Sequence, residues 1–197
     1  TTLFRSPQKW GSFLLKGTKM KEVFTGFFYG TGAGINIEVG FIPDMVIIGN
    51  NTDGDVLLVA YPSVKKMAFS SGGTSEIKAG HTIKGATSGA TGRVKQVLAD
   101  TGAWAGGDAA GTLIIDTDTI VGTFASEAIY IDGESGLDDA TGAAVANIGF
   151  KSDAAVAGST NVSGYIGAAG SNAKGFTVAT AESEDAKLFA YTAFKFN

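Results

Sequence analysis

The chain has 197 residues and a mass of 20.0 kDa, with 44% hydrophobic and 17% charged residues. That composition excludes a disordered chain and leaves room for one sizeable core or two small domains. The formal net charge of −4 and the absence of cysteine exclude a strongly basic nucleic-acid binder, disulfides, thiolate metal sites and cysteine nucleophiles.

The 29 glycines make up about twice the usual share. With 3 prolines and no Gly-X-Y period, collagen is excluded, and glycines spaced between short runs of Val, Ile, Phe and Thr predict many short strands joined by tight turns. Charge is segregated along the chain. Residues 1–21 carry Arg5, Lys9, Lys16, Lys19 and Lys21 with no acid, whereas residues 96–150 carry nine acids and no Lys or Arg.

In chain order, residues 1–21 mix those cations with Phe4, Trp10, Phe13, Leu14 and Leu15 and show no clean period, which predicts an extended N-terminal arm tied down by its own domain or by a neighbouring subunit. From Glu22 the pattern turns strand-like, through Val23-Phe24-Thr25-Gly26-Phe27-Phe28-Tyr29, a turn over residues 30–34, and Ile35-Asn36-Ile37-Glu38-Val39 with one apolar face. Residues 45–49 and 56–61 are apolar runs around the polar Asn50-Asn51-Thr52-Asp53-Gly54-Asp55, a hairpin signal. Residues 70–74 predict a flexible connection. Short strands are then expected at residues 94–98, 112–116, 119–124 and 128–131, enough for a small barrel. Residues 153–175 look loop-like, and residues 176–178 and 188–196 close the chain as strands, the last rich in aromatics.

Similar strand texture at both ends, with a small-residue-rich acidic block between, predicts an all-β chain. Its outer domain is a discontinuous β-sandwich or barrel of residues 22–75 plus 148–197, and residues 76–147 form an inserted small β-barrel module. The start of the chain lacks the apolar segment of a signal peptide, and the longest apolar runs are too short to span a bilayer. A soluble protein made in the cytoplasm, with no membrane partner, is expected.

Candidate chemistry is sparse. His81 is the only histidine and no Gly-x-Ser-x-Gly elbow is present, so a Ser-His-Asp triad has no serine in the expected setting. The glycine runs at residues 30–34 and 85–92 lack the Lys-Ser/Thr of a phosphate loop, and turn chemistry explains them. Asp116 and Asp118, and Asp132, Glu134, Asp138 and Asp139, read either as acidic turns on a solvated face or as a metal or glycosidase pair, although calcium-loop spacing fails. Tyr61, Tyr130 and Tyr191 read as core or cross-strand residues, with a sugar platform as the alternative. No enzyme activity and no cofactor are expected. The candidate partner-binding residues are Phe4, Arg5, Lys9, Trp10 and Phe13 of the arm, whose apolar side chains suit a subunit contact better than nucleic acid.

The run Gly85-Ala86-Thr87-Ser88-Gly89-Ala90-Thr91-Gly92, with residues 101–111 and Gly122-Thr123-Phe124, resembles a small β module that recurs in virion proteins of tailed bacteriophages. Its flanks, Gly40-Phe41-Ile42-Pro43 before Val46-Ile47-Ile48 and Gly175-Phe176-Thr177-Val178 before an aromatic strand, are similar to small phage proteins of the capsid-decoration (cement) kind. The resemblance implies a structural protein on the virion, made in the host cytoplasm, that binds the outer capsid surface and stabilises capsomer contacts. Its implied partners are the major capsid protein and copies of itself, often as a homotrimer. Such modules also occur in tail and baseplate components, so a tail-fibre, baseplate or receptor-binding module recognising cell-surface glycan is the alternative.

Overall fold

The computed structural model describes residues 20–54, 57–73, 75–134, 139–151, 162–168, 170–171 and 173–196. Among them the strands are β1 (Met20–Tyr29), β2 (Ile35–Glu38), β3 (Met45–Asn50), β4 (Leu57–Gly72), β5 (Thr82–Gly85), β6 (Thr91–Thr101), β7 (Ala109–Asp116), β8 (Glu127–Ile131), β9 (Ala140–Gly142), β10 (Ala146–Lys151), β11 (Val162–Ile166), β12 (Lys174–Val178) and β13 (Leu188–Phe196). The remaining regular structure is three single-turn 3₁₀ segments, so the chain is all-β, as its glycine-punctuated apolar runs predict.

Two arrangements share β4. Strands β4, β7, β6, β5, β8 and β9 pair antiparallel in that order, and β9 returns to β4 through Phe69 opposite Gly142. This closes a six-stranded barrel and removes its edges. Its interior holds Met67, Ile83, Val94, Leu113, Ile115, Phe124 and Ile129, all buried. Trp104 stacks on Phe69 with ring centroids 5.3 Å apart.

The other arrangement is a sandwich. Strands β1, β13, β3, the first part of β4, and β10 form one sheet, and β11, β12 and β2 form a second. Between the sheets lie Phe28, Val46, Ile48, Leu58, Phe189, Tyr191 and Ala193 from the first, and Ile37, Val162, Phe176 and Val178 from the second. Alternation dictates this face: in β3, and in β13 as far as Ala193, every second residue is buried, the expected period of two for a strand with one covered side.

Three sequence expectations need correction. Residues 70–72 are not a flexible connection. They end the 16-residue β4 and pair with β7 and β9. Residues 119–124 form no strand but a 3₁₀ turn, Thr117–Thr119, followed by one isolated bridge from Val121 to Thr91. Gly122 takes φ +79° there, which interrupts extended backbone, and Phe124 is instead buried in the barrel. Within the loop-like stretch after residue 153, Val162–Ile166 is a strand of the second sheet. The arm residues Phe4, Arg5, Lys9, Trp10 and Phe13 lie outside the described residues.

Candidate protein-binding face

The outer side of the five-stranded sheet is built by register alone. Residues directly opposite one another across antiparallel strands share a face. Val23 lies opposite Phe194, which lies opposite Met45. Thr25, Thr192, Ile47, Val59 and Phe150 form a row across all five strands. Phe27, Ala190, Gly49 and Leu57 form the next, and Tyr29 lies opposite Leu188. None of these side chains is charged.

This face is open on either side of Val59, which is itself buried. Phe27 is 69% exposed, Tyr29 64% and Phe150 56%, with Val23 and Leu57 each about half exposed. A contiguous apolar sheet face of this kind marks a protein interaction surface more than a solvated one. The opposite face of the same strands explains why the rings cannot turn inward. Gly26 lies against Tyr191, and a Cβ on Gly26 would stand 2.6 Å from the Tyr191 hydroxyl, so the core side of β1 has no space beside that ring. Phe28 fills the neighbouring position, stacked on Phe189 at 5.0 Å.

The margin of the face is pinned by polar contacts. Asp44 accepts a hydrogen bond from the Phe196 amide (2.8 Å) and is paired with Lys195 (3.3 Å), whose Nζ also donates to the Ile42 carbonyl (3.1 Å). Partial burial opposes ionisation of Asp44, yet the Phe196 amide, Ser63 and Lys195 together hold its carboxyl below the usual carboxylate range. At the other end buried Asn50 closes the β3–β4 turn by accepting from the amides of Thr52 (3.0 Å) and Asp53 (3.2 Å). Asp53, bonded by Lys187 (2.9 Å) and by the Asn50 amide group (3.0 Å), has a lowered pKa for those two reasons.

The sequence candidates for chemistry are scattered. Tyr191 is in the sandwich core, Tyr130 in the barrel wall on β8, and Tyr61 on β4. His81 precedes β5 and its Nδ1 accepts from the Lys78 amide (3.2 Å). Among the described residues no three of the acidic or histidine side chains are grouped to hold a metal ion, and no helix is long and apolar enough to cross a membrane. A surface hollow of about 270 Å³ is lined by Gly80, Arg93, Val94, Lys95 and Asp116.

Asp139, read in sequence as part of an acidic turn on a solvated face, is buried instead, and so is Glu127 of the same acidic stretch. Asp139 accepts from the Ile131 amide at 2.9 Å. Glu127 accepts from the amides of Thr87 (2.6 Å), Ser88 (2.8 Å) and Ala125 (3.3 Å) and from the Ser88 hydroxyl. Burial raises its pKa, but these donors outweigh that effect and hold the carboxyl at about 2. Gly85 is required beside it, since a Cβ there would collide with the Glu127 carboxylate and the Ser88 hydroxyl. The glycine-rich turn over residues 85–92 is thus organised around an internal carboxylate and has its amides turned inward.

Compared with protein-family models, with curated proteins and with solved structures, the chain matches none. Its function is therefore argued from the face itself.

Proposed function

We propose that the protein is a non-enzymatic structural component of a phage virion, a decoration (cement) protein that binds the outer capsid surface and stabilises contacts between capsomers. Its partners in this reading are the major capsid protein and other copies of itself. The observation that carries it is the apolar outer face of the five-stranded sheet, where Phe27, Tyr29, Leu57 and Phe150 are open to solvent. The arm bearing Phe4, Arg5, Lys9, Trp10 and Phe13 runs directly into β1 at Met20. In this reading the arm and the face both contact the capsid. Many weak copies of such a contact on a repeating shell add through multivalency.

The test is occupancy on purified capsids. Deleting residues 1–19 is expected to leave the strands folded, by circular dichroism, and to abolish capsid binding. Full occupancy by the truncated chain removes the arm from the mechanism. A glycan screen supplies the competing outcome: saturable sugar binding without capsid binding overturns the decoration reading in favour of a receptor-binding module.

A further inference from the structure

We propose that β1 is a homotypic docking edge, through which two copies of this chain pair antiparallel about a two-fold axis and extend the five-stranded sheet across both. The inference concerns the edge of the sheet and does not depend on the capsid reading.

Among the described residues β1 pairs only with β13 and stands at the end of its sheet. Exposed edge strands template pairing with another chain, and soluble proteins usually blunt them with charges, prolines, bulges or shortness. Strand β1 has such devices at one end only, in Lys21, Glu22 and a register shift between Met20 and Glu22. From Val23 to Tyr29 it reads Val-Phe-Thr-Gly-Phe-Phe-Tyr, with no charge and no proline.

A second copy is the occupant that this run fits. Two antiparallel copies of the same strand keep like faces together only when odd-numbered residues meet odd and even meet even. Centring the pair on Gly26 satisfies that rule and places all seven uncharged residues opposite one another. Val23 then meets Tyr29 of the second copy and Thr25 meets Phe27 on the outer face, while Phe24 meets Phe28 on the inner one. Aromatic and β-branched residues are the favoured cross-strand pairs. Both copies' Lys21 and Glu22 fall beyond the paired run, so no like charges are opposed.

Phe24, Phe27 and Tyr29 are 45%, 69% and 64% exposed, which leaves about 350 Å² of ring surface open per copy at roughly 200 Å² per aromatic side chain. With exposed Val23, this is apolar surface along the paired run of which edge pairing covers the flanks, so the backbone ladder and cross-strand pairs carry the contact and the pair stands at the small end of specific interfaces. Two-fold pairing joins chains in pairs, or joins two larger rings if another surface builds a ring.

Sedimentation of the full chain and of Phe27→Lys tests this. The wild type is expected to form an assembly with an even number of chains, and Phe27→Lys to halve its mass while leaving the circular dichroism spectrum unchanged, because the side chain is mostly exposed. Since the chain has no cysteine, the double variant Thr25→Cys/Phe27→Cys adds a register readout. Opposed Cβ atoms in this register are close enough for oxidation to yield a covalent dimer. A wild-type monomer overturns the proposal, as does a mass unaffected by Phe27→Lys or a double variant that forms no covalent dimer.

Discussion

Glu127 shows how a single side chain organises a turn. Replacing it with Ala leaves the inward-facing amides of Thr87 and Ser88 without their acceptor, and stability is expected to fall by roughly 2–3 kcal/mol in chemical denaturation. The pH dependence has a definite sign. A carboxyl held at about 2 in the folded chain contributes stability that is complete above its unfolded pKa of about 4.3 and is lost as pH falls through about 2. The stability difference between wild type and Glu127→Gln, followed by thermal unfolding, is therefore expected to be constant above pH 5 and to shrink between pH 4.5 and 2. Gly26 is the second sensitive position. Gly26→Val drives a branched side chain into the Tyr191 ring and should cost about 1–3 kcal/mol as an overpacking change. In sequence Gly26 is one unremarked residue of a strand-like run, because the close approach that requires it comes from β13, far along the chain.

Among the elements, β4 carries the most structural consequence. Its core-facing residues are the even-numbered Leu58 and Ala60 in the sandwich but the odd-numbered Met67 and Phe69 in the barrel. The parity changes over residues 61–64, where β3 has ended, β7 has only begun, and β10 passes with Ile148 alone opposite the four residues. Pro62 falls inside this irregularity, where its missing N–H interrupts no regular ladder. A proline and a broken alternation suggest the end of a strand when only local pattern is read, which explains why β4 looks complete at Tyr61 in the sequence. Lys66, in contrast, is exposed and lies opposite Ile114 of β7 on one edge and Ala146 of β10 on the other. Lys66→Pro is expected to destabilise the protein by about 3 kcal/mol or more in urea unfolding, while Lys66→Ala stays within about 0.5 kcal/mol.

For the whole molecule, the decisive property is an apolar exterior face joined to an edge strand, β1, that among the described residues pairs only with β13. If copies associate through folded β1, association stabilises only the native state, so the apparent Tm should rise with protein concentration and the dependence should vanish in Phe27→Lys. Differential scanning calorimetry over a hundredfold concentration range checks this. Phe150 belongs to the same outer face but lies on β10, at the far side of the sheet from β1. Phe150→Asp is therefore expected to weaken capsid binding at least tenfold while leaving self-association intact, which separates the face from the edge.

The sequence by itself determined the all-β class, the positions of β2, β3, β7, β8, β12 and β13, and the one-sided burial of β2, because period-two alternation and turn glycines are local signals. It also shows that an apolar, basic segment precedes β1. Only the tertiary structure decided that β4 serves two cores, that Glu127 and Asp139 are internal, and that Phe27, Tyr29, Leu57 and Phe150 share one exposed face. Those properties arise from pairing between residues as far apart in the chain as Met20 and Phe196, where register decides which side of an apolar strand is covered and which is left for a partner.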